Sequence, residues 1–163
     1  LQDAGNTTTL ANYLNLLSQA GLLSGLEKYA GSKVVQRTSS PKFQVHNTAL
    51  MSIQSPDNFT NIQQKPDAWG RQVESAIGAH LMNAALTSDF RLYYWRAGDH
   101  EIDFVLEKRG QVIGLEIKTA ATIRYHSGMA AFERAFRPEK MLLVGDTGLN
   151  WKDFLAIDPD DLF

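Results

Sequence analysis

The chain has no cysteine. Disulfides and thiolate metal centres are therefore excluded, and a reducing, cytoplasmic setting is the expectation. An apolar run of membrane-spanning length is also missing, and no basic start followed by an apolar core marks a signal peptide. No membrane partner is expected. Leu1 stands where Met opens a complete chain, so the sequence reads as a piece of a longer protein. Nor is either charge in marked excess: 16 basic residues face 18 acidic ones, a net charge of −2. Before Lys65 there are 4 basic and 3 acidic residues, and from Lys65 onward 12 and 15. No overall basic field advertises nucleic-acid binding, so such a role must rest on a local patch. A GxxxxGK[ST] phosphate loop is absent, so ATP binding or hydrolysis of that kind is not expected of these residues. His46, His80, His100 and His126 are scattered without ligand spacing, which argues against zinc.

What is present is enough for a packed core. With 163 residues, 44% hydrophobic and 21% charged, the chain suits one ordinary domain, or a domain with a small appendage. Asn6-Thr7-Thr8-Thr9 offers N-caps for a helix running to about Gln19. Leu10, Tyr13, Leu14 and Leu17 follow helical spacing, and Gly21 is its C-cap. Residues 22–29 and 33–37 read as short strands, and Ser39-Ser40-Pro41 precedes another at 42–46. A helix followed by short strands fits the last helix and wing of a winged-helix segment, which would present that helix to DNA. Its exposed positions Asn12, Asn15, Ser18 and Gln19 carry no Lys or Arg for phosphates, which favours plain packing. Residues 55–66 are polar and aperiodic and read as a linker. Residues 1–64 are thus the winged-helix-like segment with its linker, and 65–163 the main domain.

In the main domain Asp67 caps a helix over about 68–86, with Trp69, Val73, Ala76, Ile77, His80 and Ala84 as its apolar stripe. Glu74 stands at the edge of that stripe, flanked by Gly70 and Gly78, which leave room for a close approach. Residues 91–96 are an aromatic strand in which Tyr93 and Trp95 alternate with Tyr94. After a turn at Ala97-Gly98-Asp99 come two alternating segments joined by Arg109-Gly110. A two-residue loop there sets Asp103 opposite Glu116 and Glu101 opposite Lys118. The other face is apolar, with Ile102, Phe104 and Leu106 against Ile113, Leu115 and Ile117. Two carboxylates directly across a strand pair repel. Lys118 is one cation that removes the penalty. A hard divalent metal is another, since Mg²⁺ takes one or two carboxylates plus waters and phosphate oxygens. The same pattern also fits a solvated face that binds nothing. A polar loop, a helix near 128–136 and a buried strand at 141–145 follow, a βαβ unit that requires parallel strands. Trp151, Phe154, Leu155, Ile157 and Phe163 pack as a last short element, and Asp158, Asp160 and Asp161 read as solvated charges.

The order from Asp67, α-β-β-β-α-β, together with Glu74, Asp103 and Glu116-Ile117-Lys118, resembles the PD-(D/E)xK nuclease-like (restriction-endonuclease-like) superfamily. Within it the chain is similar to the C-terminal domain of uncharacterised prokaryotic AAA-type ATPases. The counterparts span nearly the whole chain: Thr9 to Leu23, the helix with Glu74, Tyr93 to Arg96, Gly98 to Leu106, and Leu115 to Ala120. Where that family has a Ser-Pro-Lys strand leading to Asp-Thr-Gly-Leu, this chain reads His46-Asn47-Thr48-Ala49-Leu50. The resemblance implies an α/β fold with a restriction-endonuclease-like αβββαβ core and a mixed sheet. It also implies a DNA partner, an ATPase domain in the same parent chain, and metal-dependent hydrolysis of DNA phosphodiesters. Asp103, Glu116 and the Ile117 carbonyl would hold Mg²⁺ or Mn²⁺, with Glu74 on a metal-bound water or a second ion. Lys118 would orient water or stabilise phosphate charge, and Glu101 would tune Lys118. Replacing Lys118 by Met is expected to remove cleavage with little change in melting temperature. The alternative is a module that keeps the nuclease-like fold and docks DNA or regulates the ATPase without cutting.

Overall fold

The computed structural model describes residues 6–119 and 127–163, apart from the side chains of Thr7, Lys33 and Arg37. At its centre lies a six-stranded mixed sheet made of β1 (Leu23–Lys28), β2 (Lys42–Val45), β3 (Arg91–Ala97), β4 (His100–Lys108), β5 (Gln111–Lys118) and β6 (Lys140–Gly145). Side by side the order is β2-β1-β3-β4-β5-β6. β1 runs parallel to β3 and β5 parallel to β6, while the remaining neighbours are antiparallel. The helices are α1 (Thr7–Gln19), α2 (Lys33–Thr38), α3 (Ala49–Ser52), α4 (Phe59–Gln63), α5 (Pro66–Ala85), α6 (Ser127–Phe136) and α7 (Trp151–Phe154), with a 3₁₀ turn at Pro159–Leu162. Among the described residues no helix is long and apolar enough to cross a membrane.

Local chemistry sets the ends of α1 as its sequence suggests. Asn6 Oδ1 accepts from the Thr8 N–H at 3.1 Å. At the other end Gly21 takes φ 67°, letting Leu22 N–H reach Leu17 O at 3.0 Å. The next stretch departs from expectation. Residues 33–38 form α2 rather than a strand, although Val34 and Val35 favour one locally. Both edges of β1 are already taken by β2 and β3, so a further strand has no ladder to join there. The first segment does not stand apart as a wing either. β1 is bonded to β3 at Glu27–Tyr93 and Lys28–Tyr94, and the sheet runs on across residue 64. In the expected linker, Asn58 caps α4 through its bond from Asn61 N–H at 2.9 Å, and Phe59 packs edge-on against Trp69. α5 begins at Pro66, a favoured first helical residue, so Asp67 lies inside the first turn instead of capping it.

Hairpin register follows the Arg109-Gly110 loop. Both residues have positive φ, 52° and 88°, the signature of a type I′ turn. Pairs run from Lys108–Gln111 to Phe104–Leu115. The half-buried hairpin expected from alternation is covered on both sides. On one face Phe104, Leu106, Ile113, Leu115 and Ile117 pack with Val73, Ile77 and Leu81 of α5. On the other, Phe132 of α6 packs with Tyr93, Trp95, Ile102 and Val105. The parallel β5-α6-β6 crossover supplies that second cover. Ile102 is on the side opposite to Phe104 because β4 carries a bulge. Tyr93 pairs with Val105 and Trp95 with Ile102, so Asp103 and Phe104 together face Tyr94. The tail closes the core with Phe154 and Leu162, as its apolar residues suggest. Asp160 is more than a solvated charge, since it accepts from Lys108 Nζ at 3.0 Å, and His80 Nε2 donates to Ile157 O at 3.0 Å.

α5 approaches the sheet closely at Gly78. A Cβ there would collide with the Gln44 amide and sit 2.7 Å from Phe104 Cζ. Gln44 cannot swing aside cheaply, since its Nε2 donates to Ser75 O at 2.9 Å and to Val45 O at 3.0 Å. Gly78→Ala is therefore expected to lower stability by about 1–3 kcal/mol in urea unfolding, although helix propensity alone favours Ala by about 1 kcal/mol. A variant as stable as the wild type contradicts this packing.

Candidate functional site

The β4–β5 ladder ends at Phe104–Leu115, and from there Asp103 does the work of a backbone partner. Its Oδ2 accepts from the Ile117 N–H at 2.8 Å in the buried interior. The bulge makes this possible by adding a residue to β4 where the two strands part. Asp103 is 8% exposed and Glu116 5%, so two carboxylates lie inside the sheet layer.

Two lysines answer them. Lys118 Nζ sits 2.7 Å from Glu116 Oε1, its neighbour two residues back on the same strand face. Glu116 Oε2 is buried and has no hydrogen-bond partner among the described residues. The second lysine, Lys42, escaped sequence reasoning. From the first residue of β2 its Nζ reaches Glu74 Oε1 at 2.6 Å and Asp103 Oδ1 at 3.7 Å. It also donates to the Asp103 carbonyl at 3.3 Å. The sequence signal that could have found it is local: Ser40-Pro41-Lys42 opens a strand whose other residues are Phe43, Gln44 and Val45.

Expected site residues are thus gathered unevenly. Asp103, Glu116, Ile117 and Lys118 share the parting strands, and Glu74 joins them through Lys42. Ile117 meets Asp103 through its N–H. Glu101 pairs with Arg96 across β3, and the expected Glu101–Lys118 pair gives way to Glu116–Lys118. His100 bonds Ser127 at 3.3 Å. Ala120, which ends the family-like segment, and His126 lie outside the described residues. A cavity of about 420 Å³ opens between Lys42, Glu74, Tyr94, Arg96, Glu101 and Asp103. Among the described residues no three of His, Asp or Glu are arranged to hold a metal ion.

The charges do not cancel evenly. Burial, then the Glu116 and Glu74 charges, push the Asp103 carboxyl up to about 7, against the pull of Lys42 and the Ile117 N–H. Burial opposes charge on Lys42, but Asp103 and Glu74 outweigh it and hold the ammonium above its ordinary value. Burial opposes charge on Lys118 too, but its bond to Glu116 together with the charges of Glu116, Asp103 and Glu101 outweighs it and holds the ammonium above its ordinary value. A carboxyl lifted first by burial and then by neighbouring carboxylates, beside a buried oxygen with no partner among the described residues, marks a pair of acids that a nearby cation would stabilise. Asp103 and Glu116 therefore suit a divalent cation that takes two carboxylates and completes its shell with water or phosphate. Glu74 does not fit that set, because Lys42 occupies it.

The sign of the Asp103 shift gives a pH dependence. A carboxyl raised from 3.8 to about 7 favours the folded state when protonated. Its contribution is complete below the unfolded value and is lost as pH rises through the folded one. In metal-free buffer, wild-type stability should fall between about pH 5 and about pH 8 more than that of Asp103→Asn, whose amide oxygen still accepts the Ile117 N–H. An equal loss of unfolding free energy between the two pH values in wild type and variant, measured by denaturant unfolding, contradicts the assignment.

Residues 69–153 match a family described as a domain of unknown function, DUF4143. Similar curated proteins include uncharacterised proteins of Mycobacterium bovis and Mycobacterium tuberculosis. Each is 30% identical over 117 residues, which is 71% of this chain and 26% of theirs. The chain spans about a quarter of the length of these relatives. No solved structure matches it.

Proposed function

Because the chain belongs to the DUF4143 family, whose description assigns no activity, we propose from its site that the domain hydrolyses DNA phosphodiesters with a bound Mg²⁺ or Mn²⁺. The observation that carries this reading is the pair of buried carboxylates, Asp103 and Glu116, where β4 and β5 part, one Glu116 oxygen lacking a partner among the described residues. The succession α5-β3-β4-β5-α6-β6, which has the order of a PD-(D/E)xK nuclease-like core, supports it.

Asp103 and Glu116 would hold the metal. Bound there, it would supply Lewis-acid polarisation of a phosphate and a lowered pKa for a water. The chain's own contribution is positional. The Ile117 N–H fixes the Asp103 carboxylate before any ligand arrives. Glu116 holds Lys118, whose side chain is 44% exposed and so reaches solvent where a phosphate would lie. An ammonium in that position stabilises charge building on the phosphate.

A second reading is favoured by the ion pairs themselves. Lys42 pairs with Glu74 and Asp103, and Lys118 with Glu116, so each acid already faces an internal cation. A module of this kind would dock DNA, or regulate an ATPase in the parent protein, without cutting.

Incubation with supercoiled plasmid and Mn²⁺ separates the two. Nicking by the wild type should fall by at least about 100-fold in Lys118→Met and in Asp103→Asn. Lys118→Met should also lose about 1–2 kcal/mol of stability, because it strands the buried Glu116 carboxylate; screening of the half-exposed lysine keeps the loss small. The sequence alone leads to a nearly unchanged melting temperature, and the burial of Glu116 adds this loss to it. Wild-type protein that leaves the plasmid intact moves the domain to the non-cutting reading. Full activity of Lys118→Met removes the role given to that lysine.

A further inference from the structure

We propose that Lys42 is an exchangeable counter-ion for the site: it occupies Glu74 and Asp103 when no metal is bound, and a divalent cation entering at Asp103 displaces it. This rests on the metal-binding reading above and adds the device by which the N-terminal strand pair controls that site.

The lysine is placed there by several independent features. Pro41 packs so tightly on Gly25 of β1 that a Cβ at Gly25 would lie 2.8 Å from the proline Cβ. The Tyr94 hydroxyl, on the residue facing the β4 bulge, donates to Ser40 O at 2.5 Å. The chain entering β2 is thus pinned on both sides just before Lys42, which pairs with Leu26. Its ammonium then sits 4.9 Å from the centroid of the Phe104 ring, among Glu74 and both the side chain and the carbonyl of Asp103. Phe104 is the other residue of the bulge, so one irregularity in β4 creates both the acid and the aromatic surface that receive the lysine.

Two features make the lysine exchangeable. Its hold on Asp103 Oδ1 is long, 3.7 Å, and its short bond goes to Glu74, whose side chain is 31% exposed. The cavity beside it, about 420 Å³ and lined by Lys42 and Glu74, gives the four-carbon stem somewhere to go. Charge supplies the drive. With both lysines in place three carboxylates meet two ammonium groups. A divalent ion added without loss of a lysine would turn a deficit into an excess inside a poorly solvated layer, where like charges repel strongly. Departure of Lys42 alone restores the balance: Glu74, Asp103 and Glu116 then face one divalent ion and Lys118.

Calorimetric titration of Mn²⁺ into the wild type, Lys42→Met and Lys42→Gln tests this, with melting curves run with and without Mn²⁺. Both variants should bind Mn²⁺ at least tenfold more tightly than the wild type and gain more melting temperature from it. In the wild type, ¹⁵N spectra of the Lys42 ammonium should shift on addition of Mg²⁺, a readout that does not depend on either variant folding. Equal affinities in all three proteins with an unmoved Lys42 signal overturn the exchange and leave the metal reading intact. Weaker binding by the variants overturns it too, since Lys42 would then be supporting the metal. No binding by any of the three overturns both.

Discussion

The hydrogen bond from the Ile117 N–H to the Asp103 carboxylate is the constraint around which this sheet is arranged. A backbone N–H inside a sheet must be satisfied, and here a side chain does it where the β4–β5 ladder stops. The arrangement puts an ionisable group in the interior beside Glu116, also buried. Burial and repulsion together lift Asp103 to about 7. Every other feature of the site responds to that charge problem.

The responses come from distant parts of the chain. Lys42 arrives from the edge strand and Glu74 from the long helix, which can lie near the sheet because Gly78 has no side chain to hold it off. Lys118 is supplied two residues from Glu116 on the same strand. The N-terminal strands are thus tied both to the sheet, through β1 and β3, and to the acids, through Lys42.

The parts legible in the sequence are those governed by short-range rules. Arg109-Gly110 specified a two-residue loop, and the loop specified the register of its strands. The parallel pairing of β5 with β6 followed from the intervening helix. The carboxylates and Lys118 were readable because strand alternation and the family-like segment both pointed to them. What was not readable depended on who sits next to whom. The stretch 33–38 has strand-like residues, but both edges of the preceding β1 are taken, and it became α2. A bulge carries no composition signal, so the displacement of Ile102 to the far face was hidden, as was the re-aiming of Asp103. Lys42 lies 61 residues before Asp103, and no local pattern links the two. The N-cap of α5 was misplaced by the pull of Asp67, when Pro66 at the first position was the stronger signal.

On the proposed reading, Asp103 and Glu116 form a site that a divalent cation would complete. Proton release on metal binding tests it most directly, because a carboxyl titrating near 7 must lose its proton to become a ligand. Mn²⁺ titrations at about pH 6.5 in two buffers of different ionisation enthalpy should give a binding heat that depends on the buffer. The difference should correspond to a substantial fraction of a proton released per ion, falling away in Asp103→Asn. Binding heat that is the same in both buffers, or no binding, contradicts the account.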